Sequence, residues 1–247
     1  MWAPETLILI GATFLLAGTV KGVVGMGLPT VSLAILTVTL GLRDAMALMI
    51  LPAVTTNVWQ GLAGPALGEI AKRFWPMAVA TVVGTFIGLK IGVGVSTQSL
   101  AGVLGGILLI YSITGLRGLS IVVASAREWL FTPAMGLAGG IMSGLVGVFI
   151  IPGIMYLQVL KMPKDLFVQT AGVMLSVATI SLGIALSGFQ LYQGDHGLIS
   201  AAGLVPAFAG MFLGQKIRAR LSEDVFRKLV FYALVIFGIY LIAGTVL

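Results

Sequence analysis

The most informative feature of the sequence is a series of long apolar runs separated by short polar stretches. Uncharged runs cover 45–68, 91–116, 129–160, 166–194, 197–215 and 229–247. Each reaches the roughly 17–25 residues with which a helix crosses a hydrocarbon core about 30 Å thick. The runs are continuously apolar, whereas strands of a membrane barrel alternate apolar and polar positions. The pattern therefore predicts an all-α, polytopic transmembrane helical bundle.

An internal repeat divides the chain into two halves, 1–120 and 121–247, which meet near residues 118–127. Gly84-Thr-Phe-Ile-Gly88-Leu-Lys90 recurs as Gly210-Met-Phe-Leu-Gly214-Gln-Lys216, and Gly22-Val-Val-Gly25 recurs as Gly144-Leu-Val-Gly147. Each half is predicted to hold one long, glycine-interrupted segment, a broken-helix hairpin, followed by three plain spans. The predicted segments are a hairpin at 5–41 with spans at about 45–64, 74–93 and 98–117, and a hairpin at 129–160 with spans at about 165–188, 197–216 and 227–246.

The distribution of basic residues predicts how these segments cross the membrane. The loop 216–228 is rich in Lys and Arg and is expected on the cytoplasmic side. If both long segments are hairpins, the other basic clusters fall on that side too, both termini lie outside, and the two halves have opposite orientations. Inverted repeats with interrupted helices are typical of secondary transporters, whose substrate site lies near the midplane at the repeat interface. The alternative is a gene duplication with a purely structural outcome.

Lys21 is the strongest candidate for chemistry. It lies between the uncharged stretches 6–20 and 22–42, and a charged side chain at a helix centre costs about 2.5 kcal/mol or more. Gly22, Gly25 and Gly27 with Pro29 are expected to interrupt the helix, to expose backbone N–H groups and to start a new helix, which favours an anion. The alternative is a lysine that extends its charge to the membrane surface from a hairpin tip.

Polar groups elsewhere complete the predicted anion site, which we expect between the two glycine-rich breaks. Amides and hydroxyls in apolar spans need partners, and they serve either as ligands or as interhelical hydrogen bonds. The predicted substrate-binding residues are Lys21, Gly22, Gly25, Gly27, Asn57, Ser143, Gly144, Gly147, Gln169 and Thr170. For the four glycines of the other repeat, Gly84, Gly88, Gly210 and Gly214, the spacing instead predicts close helix packing.

Composition narrows the function classes. Of 247 residues, 59% are hydrophobic and 9% charged, and the mean hydropathy is +1.13, which excludes a soluble domain. The net charge of +6 resides largely in short loops, so it indicates membrane orientation and not nucleic-acid binding. The absence of cysteine excludes disulfides and thiolate metal sites. We expect no catalytic residues, no metal and no cofactor, because no nucleophile–base pair or ligand cluster is visible.

Two further features bear on transport. The N-terminal sequence lacks a basic region and a cleavage site, so it is expected to be the first membrane segment and not a signal peptide. The carboxylates fall at predicted helix ends or in loops, and the single histidine, His196, falls in an outer loop. Proton-coupled pumps commonly keep such groups in mid-membrane. The sequence therefore predicts uniport or proton movement linked to the substrate itself.

The glycine-rich segment from Lys21 to Pro29, its echo at 140–153 and the GxFxGxK elements resemble the sulfite exporter TauE/SafE family of membrane permeases. The resemblance covers almost the whole chain. It implies a multi-pass protein of the bacterial inner membrane that moves a small sulfur-containing anion, such as sulfite or an organosulfonate, by alternating access. The alternative is an anion channel or a transporter of a non-sulfur organic anion. The second half departs from the family's triple-glycine run, with Val148, Phe149 and Ile150 after Gly147.

The expected partners follow from this interpretation. They are the small anionic substrate and membrane lipid, with no nucleic acid. Glycine-rich helix faces are also compatible with a homodimer.

Overall fold

The structure is a computed structural model that describes residues 2–117, 128–192, 195–218 and 223–246. Over these ranges the chain forms helices and no strand. The helices are α1 (Pro4–Val24), α2 (Leu28–Leu40), α3 (Leu42–Leu62), α4 (Leu67–Val93), α5 (Thr97–Arg117), α6 (Glu128–Val146), a π-helical turn (Ile150–Ile154), α7 (Met155–Val159), α8 (Lys164–Gly188), α9 (His196–Ala202), α10 (Leu204–Arg218) and α11 (Glu223–Val246). Within the described ranges, eight helical segments are long and apolar enough to cross a membrane, counting α9 and α10 as one. The predicted all-α, polytopic fold is confirmed.

Both predicted hairpin segments contain a break. In the first, α1 has 21 residues and α2 only 13, about 20 Å at 1.5 Å per residue. In the second, α6 has 19 residues, and the apolar stretch after it runs only from Ile150 to Val159, with a non-helical backbone at Ile151 (φ −110°, ψ 125°). We call residues 25–27 the first break and residues 147–149 the second break. Each long segment is thus a full-length helix followed by a short one.

The chain forms two compact units, and each draws segments from both sequence halves. Unit 1 comprises Met1–Ala53, Ser96–Gly118 and Gln190–Leu247, and unit 2 comprises Val54–Val95 and Leu119–Phe189. The first break therefore belongs to unit 1 and the second to unit 2. The predicted junction of the halves, 118–127, lies outside the described residues, and the inverted arrangement of the halves stays a prediction.

In unit 1, α1 packs against α10 through glycines on both helices. A Cβ added at Gly22 would lie 2.9 Å from the Cα of Gly214, and one added at Gly214 would lie 2.9 Å from the Cα of Gly22. Gly18 and Gly210 are equally tight, because each faces backbone atoms of the opposite helix. Small residues allow the two backbones to approach this closely, as is common between membrane helices.

Unit 1 also contains the proline-bearing part of α3. Pro52 has no N–H, so the carbonyl of Leu48 loses its helical partner. The Oγ of Ser200, on α9, donates to that carbonyl at 2.7 Å and accepts from the N–H of Leu51 at 3.2 Å. A hydroxyl from another helix thus satisfies the backbone at the proline.

In unit 2, α4 packs against α6 in the same way. A Cβ added at Gly84 would lie 3.1 Å from the Cα of Gly140, and one added at Gly88 would lie 2.9 Å from the Cα of Ile141. At the start of the two helices, Arg73 donates to both carboxylate oxygens of Glu128 at 2.7 and 2.9 Å. The packing role predicted for the glycines of the GxFxGxK elements is confirmed in both units.

Candidate anion-binding sites at the helix breaks

Glycine backbone conformation creates the first break. The N–H of Gly25 donates to the carbonyl of Lys21 at 2.8 Å, which closes the last turn of α1. Gly25 then takes a left-handed φ of 85°, and Gly27 follows with a φ of 111°. L-residues with a side chain rarely adopt these angles. The local sequence therefore ends one helix and begins another within three residues.

Lys21 lies in the last turn of α1, immediately before this break. Its side chain is only 3% exposed. Among the Lys, Arg, Asp and Glu residues whose exposure the structure describes, it is the one that is buried. Burial of this kind disagrees with the alternative of a lysine extended to the surface. The negative end of the helix dipole lies at the C-terminus of α1, and it stabilises a positive charge at position 21.

The helix that follows the first break begins without a side-chain cap. Gly27 occupies the N-cap position of α2, and the helical ladder starts with the N–H of Val31 donating to the carbonyl of Gly27 at 2.9 Å. The first-turn N–H groups have no acceptor within a helix, which makes such a terminus suited to an anion. Pro29 stands at the second position, where its missing N–H costs nothing.

The second break begins with the same hydrogen bond and a similar glycine conformation. The N–H of Gly147 donates to the carbonyl of Ser143 at 2.8 Å, and Gly147 has a φ of 78°. Its continuation is apolar, because Val148, Phe149 and Ile150 are all buried. The Phe149 ring lies against Gly153 and Gly139, so that a Cβ added at Gly139 would lie 2.8 Å from its Cε2 atom. An aromatic side chain fills the space at this break.

Comparison with known proteins decides the family. Residues 10–241 match the sequence profile of the family described as sulfite exporter TauE/SafE. The chain belongs to the sulfite exporter TauE/SafE family. No curated protein and no solved structure matched the chain. Membership in this family of membrane transporters, together with the apolar helices, makes the chain a multi-pass membrane transport protein.

Within this TauE/SafE protein, the predicted site residues divide between the two units. Unit 1 holds Lys21, Gly22, Gly25 and Gly27; unit 2 holds Asn57, Ser143, Gly144, Gly147, Gln169 and Thr170. Ser143, Asn57 and Thr170 are buried, with exposed fractions of 1%, 0% and 0%. Their binding roles stay predictions.

The structure gives helix-packing contacts to two of the predicted binding glycines. Gly22 faces the backbone of α10, and Gly144 faces α4, where an added Cβ would lie 2.5 Å from the backbone nitrogen of Leu89. Their Cα faces are therefore occupied by neighbouring helices. The repeated GxxG motif begins at Gly22 in one copy and at Gly144 in the other. In this TauE/SafE protein its first glycine packs against a neighbouring helix, and its last glycine ends the helix.

Gln169 is engaged with the backbone of unit 2. Its Nε2 donates to the carbonyls of Gly61 and Gly64 at 3.0 and 2.7 Å, and its Oε1 accepts from the N–H of Ala66 at 3.0 Å. Gln60 contributes a similar bond to the carbonyl of Val168 at 2.8 Å. These bonds favour the interhelical alternative for Gln169, since its amide already bonds through both its nitrogen and its oxygen.

Sequence reasoning overlooked Thr30, the residue after Pro29. Its side chain is 1% exposed, and its hydroxyl has no hydrogen-bond partner among the described residues. The available signal was its position directly after the Gly27-Leu28-Pro29 helix start. As for metals, the described part of the chain contains no group of three or more His, Cys, Asp or Glu residues that could hold an ion.

Proposed function

We propose that this chain is a secondary transporter that moves a small sulfur-containing anion, sulfite or an organosulfonate, across the bacterial inner membrane by alternating access. The observation that carries the proposal is the burial of Lys21 beside the first break. Removing a cation from water costs several kcal/mol unless an opposite charge or good hydrogen bonds compensate for it. An anion that enters the break would add an opposite charge beside the buried ammonium group. The family description, sulfite exporter, supports a sulfur-containing anion as the substrate.

The first break offers two kinds of recognition to such an anion. Lys21 supplies a positive charge with three N–H donors, and the start of α2 supplies backbone N–H groups and the positive end of a helix dipole. The oxygens of sulfite and of a sulfonate are acceptors, so they match donors of both kinds. Hydrogen bonds to charged groups contribute about 1.5–3 kcal/mol each.

Coupling and orientation form part of the same proposal. Among the Asp and Glu residues whose exposure the structure describes, none is buried, which supports uniport or proton movement carried by the substrate. The basic loops support an orientation with both chain termini outside the cytoplasm. The two halves then have opposite orientations in the membrane.

Flux into proteoliposomes tests the proposal. The assay uses radiolabelled sulfite, sulfoacetate, sulfate, taurine, acetate and chloride, with the wild type, Lys21→Met and Lys21→Arg. We expect saturable uptake of sulfite or of a sulfonate. Loss of one charge-assisted bond predicts a tenfold or greater fall in uptake for Lys21→Met, which keeps the side-chain length. Partial activity is expected for Lys21→Arg, which keeps the charge.

Lys90→Met provides the matched control, because Lys90 is exposed on α4. It removes the same charge from a surface position and is expected to leave uptake unchanged. Equal uptake by wild type and Lys21→Met would place the anion site elsewhere. Current that does not saturate with anion concentration would favour a channel, and uptake of acetate but not of sulfur anions would favour a non-sulfur substrate.

A further inference from the structure

We propose that the hydroxyl of Thr30, together with the first-turn N–H groups of α2, binds an oxygen of the transported anion, so that Thr30 is a substrate-binding residue. This inference rests on the proposed function, because it assigns donors within the same anion site. It adds a side chain that neither the glycine-rich motif nor the family description names.

The state of the Thr30 hydroxyl is the first reason. A buried hydroxyl without a partner loses its hydrogen bonds to water and gains none in return, so such groups are rare and call for an explanation. Thr30 is 1% exposed and its Oγ1 has no partner among the described residues. A substrate oxygen would give this hydroxyl an acceptor.

The position of Thr30 deprives its hydroxyl of one common acceptor, a helical carbonyl four residues earlier. Helical Ser and Thr usually donate to the carbonyl four residues earlier, as Ser32 does to Leu28 at 2.7 Å and Thr19 does to Leu15 at 2.8 Å. For Thr30 that residue is Met26, which lies in the first break and outside any helix. The break therefore leaves the hydroxyl without its usual acceptor.

The geometry of a helix start favours a Thr30 side chain that leans toward the break. Cα–Cβ bonds tilt toward the N-terminus of a helix, so a side chain at the third position leans over the first turn. The N–H groups of Leu28 and Thr30 belong to that same turn and have no helical acceptor. Thr30 thus adds a third donor to these two backbone donors. All three belong to the N-terminal end of α2, which follows Lys21 and the first break in the chain.

Three variants test the inference. Thr30→Val removes the hydroxyl at nearly constant shape, and Thr30→Ser keeps it. Thr37→Val is the matched control, because Thr37 lies on the same helix, is 6% exposed and also has a hydroxyl without a partner among the described residues, but lies two turns farther from the break. The readouts are the KM for sulfite uptake in proteoliposomes and the thermal stabilisation of detergent-solubilised protein by sulfite.

We expect Thr30→Val to raise the KM about tenfold and to lose most of the stabilisation by sulfite, because one hydrogen bond to a charged group disappears. Thr30→Ser should stay within about threefold of the wild type, and Thr37→Val should behave like the wild type. Monodisperse elution of Thr30→Val from a size-exclusion column shows that the variant folds. If Thr30→Val does not fold, the comparison of Thr30→Ser with the wild type remains informative.

Two outcomes would overturn the inference. One is equal KM and equal stabilisation in wild type and Thr30→Val; the other is an equal loss in Thr30→Val and Thr37→Val, which would indicate a general effect of the hydroxyls on α2. Failure of the proposed function looks different. In that case the wild type shows neither saturable sulfite uptake nor stabilisation by sulfite, whichever residue stands at position 30.

Discussion

The two helix breaks share a backbone and differ in their side chains. In each, a glycine with a left-handed φ donates its N–H at 2.8 Å to the carbonyl four residues earlier, Gly25 to Lys21 and Gly147 to Ser143. Beyond these bonds the chemistry diverges. The first break has a buried cation before it and a helix start after it, whereas the second continues into a buried apolar stretch with Phe149 packed on glycines.

This difference shows that the motif sets the end of the helix but does not set which side chain lies four residues before that end. The glycine at the end of the helix fixes where the chain leaves the helix, and both units need it. The residue that supplies the carbonyl has no such constraint, because any residue provides that atom. A lysine in one unit and a serine in the other are therefore compatible with the same backbone, and charge belongs to only one of the two breaks.

The largest effect is expected where helix backbones touch. Gly22→Ala and Gly144→Ala each place a methyl group against the backbone of a neighbouring helix. Overpacking of this kind costs about 1–3 kcal/mol, and rigid backbone neighbours favour the upper end. Thermal unfolding of purified protein in detergent should show a similar loss of stability for both variants.

Gly11→Ala is the control for this prediction, because an added Cβ at Gly11 has nothing within 4 Å. It is expected to leave stability unchanged or to raise it by up to about 1 kcal/mol through helix propensity. A loss for one of the two packing variants only would show that α1 and α6 do not depend on their neighbours to the same extent.

An intermediate effect is expected at the two left-handed glycines. Gly25→Ala and Gly147→Ala should each cost about 1–2 kcal/mol of stability, because a side chain disfavours their φ of 85° and 78°. Gly25→Asn should cost less, since Asn tolerates this conformation better. The measurement is again thermal unfolding in detergent.

Transport should distinguish these two variants even where stability does not. Gly25→Ala is expected to reduce sulfite uptake more than Gly147→Ala, because only the first break has a buried cation beside it. An equal reduction would mean that the apolar break is as important for the anion as the charged one.

The smallest effect on the protein is expected from single cysteine substitutions that test the orientation of the two halves in the membrane. The chain has no cysteine, so Ser96→Cys and Asp165→Cys can be labelled singly without further changes. Both positions are exposed, and neither variant should alter uptake. Because the Oγ of Ser96 accepts from the N–H of Ser99 at 3.1 Å at the start of α5, Ser96→Cys is expected to cost about 1 kcal/mol of stability. A membrane-impermeant maleimide should reach Ser96→Cys from outside intact cells and Asp165→Cys only after permeabilisation. Labelling of both from the same side would exclude the opposite orientation of the two halves.

Much of the fold follows from local sequence. Apolar runs predict helices because the backbone must satisfy its own hydrogen bonds in lipid. The predicted breaks also lie where the structure has them, since Gly25, Gly27 and Gly147 act through their own backbone angles. Likewise, the spacing of Gly84 and Gly88 on one helix face was enough to predict packing.

The assignment of binding roles depends on distant contacts, and here the sequence was less informative. Gly22 and Gly25 belong to one motif, but only the fold brings Gly214 against Gly22. Gln169 is similar, because its hydrogen bonds go to the backbone of residues 61–66, which no periodicity connects with it. Thr30 was overlooked because its position after the Gly27-Leu28-Pro29 helix start becomes informative only once the fold shows that its hydroxyl has no partner among the described residues.

The pairing of α1 with α10 has a consequence for biosynthesis. The ribosome makes α1 long before α10, the helix whose glycines face it, because α2 to α9 lie between them in the chain. By contrast, α4 and α6 are separated in sequence only by α5 and the segment that follows it. During insertion the glycine face of α1 therefore remains uncovered until α10 has been made. Unit 2 has its main glycine contact earlier, once α6 has followed α4, so unit 1, which holds Lys21, is completed after unit 2.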